Sequence, residues 1–148
     1  MFGKELMATT TVNLLVLVAL SVVITHSACR DSTPEEVASK IAASGELQHI
    51  DKICSEIPKP SSFKQIKKGL SGNSIESIVY YQYQTGVPFS AVRAFYEDPA
   101  LRGDYHLLSV SDNESIDYRS EIRLARDDVG IIIEHRPPSG IFVYDCFK

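Results

Sequence analysis

The strongest constraint on the fold is an alternation of apolar and charged residues in the last third of the chain. Its apolar positions are Ile116, Tyr118, Ile122 and Leu124, and its charged positions are Asp117, Arg119, Glu121 and Arg123. Successive side chains of a strand point to opposite faces, so this pattern predicts a strand with one buried and one solvated face. Such a strand requires a sheet that is covered on one side.

Two turn signals extend this strand into a meander. Asp127-Asp128 predicts a tight hairpin, and the proline- and glycine-containing residues 137–140 predict a second turn. Aligning the apolar faces predicts these opposed pairs: Arg126 with Val129, Leu124 with Ile131, Ile122 with Ile133, and Arg136 with Ile141. On this register Phe142, Tyr144 and Cys146 point to the buried face.

The first part of the domain is predicted to be helical. Thr33-Pro34-Glu35-Glu36 combines a capping box with proline at the first helical position. Apolar residues continue at helical spacing to Ala42, and a second helical stripe follows Gly45 and ends before the prolines of residues 57–60. The two stripes form either a helical hairpin or one kinked helix, with Cys54 in the last turn.

The remaining segments complete an α+β pattern. Residues 63–70 and 75–85 are predicted strands, a helix follows Pro88, and residues 105–110 are a further strand. We therefore predict an α+β fold in which an antiparallel sheet of five to six strands is covered on one face by helices. Residues 34–148 are expected to form a single globular domain.

The amino-terminal segment indicates export. Residues 12–24 form an apolar run that is short for a permanent helical span of roughly 20 residues and typical of a cleaved signal. Ser27, Ala28 and Cys29 resemble the lipobox of bacterial lipoproteins, which implies that Cys29 carries the lipid. Residues 1–28 are therefore interpreted as a signal peptide or membrane anchor, and residues 29–33 as a short tether.

Two alternatives to lipidation remain open. His26 occupies the lipobox position that usually carries an aliphatic residue, and signal peptidase could instead cut after Ser27. Counted to Ala28, the apolar run reaches the lower limit of a retained single span. In every case the domain is exported, as a membrane-anchored form or as a secreted or periplasmic one, and its predicted partner is the membrane through the N-terminus.

The cysteines fit an oxidising compartment. If Cys29 carries lipid, Cys54 and Cys146 remain as one pair, and we predict that they form a disulfide. The alternative is two buried, unconnected thiols. No metal site is predicted, because the three cysteines include no closely spaced pair.

The charged residues suggest one surface and exclude one class of partner. A net charge of -4 argues against a nucleic-acid binder. A possible binding surface comprises lysines and tyrosines: Lys59, Lys64, Lys67, Lys68, Tyr80, Tyr81 and Tyr83. The lysines are interpreted either as contacts for anionic lipid headgroups or as protection of an edge strand. The tyrosines suit a peptide or glycan, although alternate ones must lie in the core.

No motif predicts a catalytic residue or a cofactor. The chain contains no nucleophile elbow and no glycine-rich phosphate loop after a strand. The preferred hypothesis is an interaction or binding module of the cell envelope that contacts another envelope protein. The alternative is a small extracytoplasmic hydrolase or ligand-binding protein built around His106 or His135. Asn113-Glu114-Ser115 also matches a glycosylation acceptor.

Overall fold

A six-stranded antiparallel sheet is the central element of the computed structural model, which describes residues 32–72, 77–112 and 119–148. The strands are β1 (Lys64–Gly72), β2 (Ser77–Gln84), β3 (His106–Ser111), β4 (Ser120–Arg126), β5 (Val129–Arg136) and β6 (Ile141–Phe147). The helices of the described residues are α1 (Pro34–Ala42), α2 (Gly45–Glu56), α3 (Phe89–Glu97) and α4 (Pro99–Arg102). The α+β fold is therefore confirmed.

The spatial order of the strands differs from their order in the chain. It is β1-β2-β6-β5-β4-β3, so β6 lies in the interior of the sheet and β1 and β3 form its edges. The β4-β5-β6 meander has the predicted register, with Leu124 opposite Ile131 and Arg136 opposite Ile141. Asp127 takes a positive φ of 54° in the two-residue β4–β5 turn, a conformation that Asp tolerates better than most residues.

Capping separates the first two helices. The Thr33 hydroxyl accepts a hydrogen bond from the Glu36 N–H at 3.3 Å, and the Glu36 carboxylate accepts one from the Thr33 N–H at 2.9 Å. Ser44 caps α2 by accepting from the Leu47 N–H at 3.3 Å. The second cap starts a new helix, so the two stripes form a hairpin of helices and not a single kinked helix.

The core lies between the helices and one face of the sheet. Its fully buried strand residues include Val79, Ile122, Leu124, Ile131, Ile133, Phe142, Tyr144 and Cys146, and the helices contribute Ile50, Ile53, Cys54, Val92 and Tyr96. Full burial of one such aliphatic side chain is worth about 1.5–3 kcal/mol. The predicted inward facing of the meander is thus confirmed.

The C-terminal end of α2 is held against the sheet by several contacts. Tyr105 Oη donates to the Ile53 carbonyl at 2.6 Å, and Tyr96 Oη donates to the Pro58 carbonyl at 2.7 Å. Tyr96 Oη also lies 2.9 Å from Tyr144 Oη. These hydroxyls bond one carbonyl in the last turn of α2 and one just after the helix, and they fasten this end of α2 to α3 and to the residue before β3.

A disulfide joins Cys54 to Cys146, as predicted. The two Cα atoms are 6.0 Å apart, and 92 residues of sequence separate the cysteines. Both side chains are almost fully buried, with 1% and 0% of their surface exposed. A buried structural disulfide is typical of proteins that fold in an oxidising, extracytoplasmic compartment.

Several predictions concern residues outside the described ranges. They include the signal peptide or anchor, lipidation of Cys29, the glycosylation acceptor Asn113 and the first half of the strand predicted from residue 116. Within the described ranges, no helix is long and apolar enough to cross a bilayer.

Replacing both bridged cysteines, Cys54→Ala with Cys146→Ala, should lower the free energy of unfolding by about 2–5 kcal/mol, because the closed loop no longer restricts the unfolded chain. Urea unfolding at fixed pH measures this loss. A reducing agent should destabilise the native protein by a similar amount and leave the double variant unchanged. A native protein whose unfolding curve ignores the reductant would contradict the prediction.

Candidate binding surface on the open face of the sheet

The sheet face opposite the core forms a second surface, which we call the open face. The helices pack against the other face. The strand registers place the following outward residues side by side: Lys67, Gly69 and Ser71 of β1; Ile78, Tyr80 and Gln82 of β2; Val143, Asp145 and Phe147 of β6; and Gly130, Ile132, Glu134 and Arg136 of β5. The open face therefore mixes apolar, aromatic and charged groups.

A shallow cavity of about 240 Å³ lies in the open face. Its lining residues are Ser71, Ile78, Tyr80, Gln82, Arg136, Val143 and Asp145. Val143 is only 2% exposed and forms an apolar floor, while an amide, a phenol, a guanidinium and a carboxylate surround it. An apolar floor with a few convergent polar groups is typical of binding sites. The volume suits one side chain or one sugar ring of a larger partner.

Two aromatic rings of the open face lie across glycines on neighbouring strands. Tyr80 is opposite Gly69, and a Cβ at Gly69 would lie 2.3 Å from the Tyr80 ring. Phe147 is opposite Gly130 in the same way, and a Cβ there would lie 2.8 Å from the Phe147 ring. Glycine is required at both positions because it lets the ring approach the backbone. The rings are thereby held in fixed places.

Asp145 is the most unusual group of the cavity. It sits on β6 between the inward Tyr144 and Cys146, and its side chain is half-buried on the open face. Burial raises the pKa of Asp145 above its ordinary value, and the negative charge of Glu134 raises it further, against the opposing effect of Arg136. No hydrogen bond from a described residue lowers the pKa of this carboxyl.

The neighbouring charges are paired among themselves. Glu134 accepts hydrogen bonds from Arg119 at 3.0 Å and from Arg136 at 3.4 Å. Glu121, the β4 residue opposite Glu134, is bonded to Arg123. Glu134 therefore holds the Arg136 guanidinium at the cavity. The Asp145 carboxylate has no hydrogen-bond donor among the described residues and can accept a hydrogen bond from a bound partner.

The three tyrosines of the predicted surface divide between the two faces of the sheet. Tyr81 and Tyr83 are each only 5% exposed and point into the core. Tyr80 lies on the opposite, outward side of the same strand. This division is what strict alternation along β2 requires, so Tyr80 alone of the three is placed to contact a partner.

Two of the four predicted lysines have internal roles. Lys68 lies 2.7 Å from the Asp51 carboxylate, which also accepts a hydrogen bond from Tyr81 Oη at 2.7 Å. Burial first, and then Asp51, raise the pKa of the Tyr81 hydroxyl. Lys59 donates to the carbonyls of Ser55 and Ile57 at the end of α2, and burial lowers its pKa. Neither ammonium group therefore belongs to a solvated basic patch.

The other two lysines lie on the β1 edge strand. Lys64 is exposed, and Lys67 is half-buried on the open face with its ammonium group 6.0 Å from the centre of the Tyr80 ring. That distance allows a cation–π contact. Of the four lysines, Lys64 and Lys67 are thus the two that lie on the edge strand without turning towards the helices.

The histidines are dispersed. His135 packs between Phe89 and Phe142, with ring-centre distances of 6.1 and 4.7 Å, and burial lowers its pKa. His106 is exposed on β3, and His49 lies 2.8 Å from Asp128. No histidine lines the open-face cavity. Within the described ranges no group of acids, histidines or cysteines is arranged to hold a metal ion.

The cavity was missed in the sequence because Asp145 stands in an otherwise apolar strand and forms no motif. Its outward position follows from the predicted register, but its partial burial depends on β2, whose position beside β6 no local pattern reveals. Comparison with known protein families, curated proteins and solved structures finds no match to this chain.

Substituting Gly69→Ala should force the Tyr80 ring off the β1 backbone and destabilise the protein by about 1–3 kcal/mol, as overpacking does. Gly45→Ala is the matched control, because nothing lies within 4 Å of a Cβ there. We expect it to be neutral or stabilising by up to about 1 kcal/mol. Thermal or urea unfolding of both variants checks this, and equal stability of the two would refute the close ring packing.

Substituting Asp145→Asn should raise the free energy of unfolding near neutral pH. The folded-state pKa of Asp145 is raised, so ionised Asp145 costs stability above that pKa, and the cost disappears as the pH falls below the unfolded value of about 4. The difference between variant and native protein should therefore shrink in acid. Urea unfolding across this pH range, with exposed Asp104→Asn as control, measures it, and a destabilised Asp145→Asn would contradict it.

Proposed function

We propose that this protein is an exported binding module, tethered to the membrane or secreted, whose open face docks on another component of the cell envelope. The observation that carries this proposal is the half-buried Asp145 carboxylate in the open-face cavity. A partly desolvated charge without a donor costs stability, and such costs are tolerated mainly where a function needs the group.

The chemistry of the cavity defines what would bind there. Val143 and Ile78 offer apolar contact, Gln82 and Tyr80 offer hydrogen bonds, and Asp145 offers a negative charge. A cationic or hydrogen-bond-donating group on a short apolar stem satisfies all of them. A partner's lysine, arginine or amino sugar has this character.

The construction of the open face supports a preformed site. Tyr80 is fixed across Gly69, and Arg136 is held by Glu134, so both groups are oriented before a partner arrives. Their backbones belong to strands of one sheet, and strands position side chains more accurately than loops do. Little ordering would be needed on binding, which favours affinity at a small contact.

The disulfide and the amino-terminal apolar segment support an extracytoplasmic location for the proposed binding module. The buried Cys54–Cys146 bond suits an oxidising compartment, and the apolar segment of residues 12–24 suits an export signal. A hydrolase centred on His106 or His135 receives less support, because His135 packs among aromatic rings and neither residue lines the open-face cavity.

The test is site-specific photo-crosslinking of the full chain in its native host. A crosslinking residue at Gln82 should give a discrete adduct, whereas one at exposed Lys52 on α2 should not, because only Gln82 lies at the cavity. Adding Asp145→Asn should remove most of the Gln82 adduct while leaving the protein folded and more stable.

Two results would refute the proposal. One is an equal yield of adduct from crosslinking residues at positions 82 and 52, which would show that partners do not bind preferentially at the open face. The other is an adduct at position 82 that survives Asp145→Asn, which would separate binding from the carboxylate.

A further inference from the structure

The open-face cavity carries one charge of each sign. Asp145 and Arg136 are the charged residues of its lining. A ligand that brings only an ammonium group is repelled by Arg136, and a ligand that brings only a carboxylate is repelled by Asp145. A ligand with both groups, suitably spaced, is attracted at both places.

The two charges do not pair with each other. Among the described residues Arg136 forms its ion pair with Glu134, at 3.4 Å, and not with Asp145. A guanidinium has five N–H donors, so this long bond leaves Arg136 able to bind an anion. Arg119 lies closer to Glu134, at 3.0 Å, and offsets its negative charge beside the cavity. Both charged groups of the lining can therefore pair with a ligand.

The strand register sets the spacing of the two charges. Asp145 and Val143 are successive outward positions of β6, and Glu134 lies opposite Val143. Successive outward positions are about 7 Å apart. Because Glu134 holds the Arg136 guanidinium, that guanidinium lies about this far from Asp145. The ammonium and carboxylate of an amino acid are joined by one carbon, and with a hydrogen bond of about 2.8 Å at each end they bridge a gap of this order.

The floor and the size of the cavity suit the rest of an amino acid. Val143 and Ile78 offer an apolar floor for an aliphatic side chain. Gln82 lies opposite Val143 on β2, where its amide can bond the carboxylate of a ligand. Pockets for drug-sized ligands measure about 300–1,000 Å³, so the cavity of about 240 Å³ suits a smaller group.

We propose that the open-face cavity binds the ammonium and carboxylate groups of a single amino acid, with the ammonium on Asp145, the carboxylate on Arg136 and the side chain over Val143. The proposal rests on the proposed function and deepens it by naming the chemical class that the open face recognises. A free amino acid presents these groups. An amino acid that is joined to a larger envelope component through its side chain presents them as well.

Leucine and two truncated analogues test the site in the full-length protein. 3-Methylbutylamine lacks only the carboxylate of leucine, and 4-methylpentanoate lacks only its ammonium. Titration near pH 7 in a neutral detergent is followed by NMR of the backbone amides of Gln82 and Val143, with exposed Lys52 on α2 as the distant reference. We expect leucine to shift the two cavity amides at concentrations about tenfold lower than either analogue, without a shift at Lys52.

Each charged residue should recognise its own group of the ligand. Asp145→Asn should weaken the binding of leucine about tenfold and leave that of 4-methylpentanoate unchanged or tighter. Arg136→Gln should weaken leucine similarly and leave 3-methylbutylamine unchanged or tighter. A merely structural role would weaken all three ligands alike. Asp104→Asn removes an exposed carboxylate and is the control, which should change none of them.

Two further ligands define the source and the spacing. Nε-Acetyllysine represents an amino acid linked through its side chain. Binding of both leucine and Nε-acetyllysine assigns the site to a linked or free amino acid, and binding of leucine alone assigns it to a free one. Phosphoethanolamine carries its two charges further apart and should bind about tenfold more weakly than leucine, so equal binding would overturn the amino-acid assignment.

The failure of this inference is distinguishable from that of the proposed function. Leucine that binds no better than its analogues, or that shifts Lys52 as much as the cavity amides, overturns the amino-acid site. If the adduct at position 82 still depends on Asp145, the docking proposal stands without that site. Leucine binding with the expected variant effects, in a protein without a preferential adduct at position 82, supports the amino-acid site and overturns only the docking.

Discussion

The attachment of the C-terminal turn of α2 to β6 is the interaction on which the rest of the structure depends. The Cys54–Cys146 bond joins the helix to β6, and the hydroxyls of Tyr96 on α3 and Tyr105 before β3 bond carbonyls at the end of the helix. Because β6 is then held between β2 and β5, the outward residues of these three strands have fixed neighbours. The open-face cavity is therefore a product of packing on the opposite, buried face.

The parts of the fold that could be predicted are those with local physical causes. Alternation and two short turns determine the register of β4, β5 and β6, and the capping residues Thr33 and Ser44 determine where the helices begin. The disulfide could be predicted from the same register, because that register places Cys146 on the face of the sheet that the helices cover. The facing of Lys67 and Lys68 on β1 could not be predicted in this way, because the pairing of β1 with β2 shifts register at a bulge. The bulge at Ile66 changes the facing of the strand, so Lys67 points outward and Lys68 points to Asp51.

The candidate site depends on nonlocal arrangement, which explains why only fragments of it were visible in the sequence. Tyr80 was identified as a possible contact, but its role depends on Gly69 across the strand pair. Asp145 has an unusual environment only because β2 lies on one side of it and Glu134 and Arg136 on the other. Free energy gained in the buried core compensates for the cost of this carboxylate, so scaffold and site are energetically linked.

The interior position of β6 has a consequence for how the chain is made. Within the sheet, the β1–β2 hairpin and the β3-β4-β5 group are joined only by β6, which follows all of them in the sequence. During synthesis the two halves therefore remain separate until β6 emerges, and the sheet closes late.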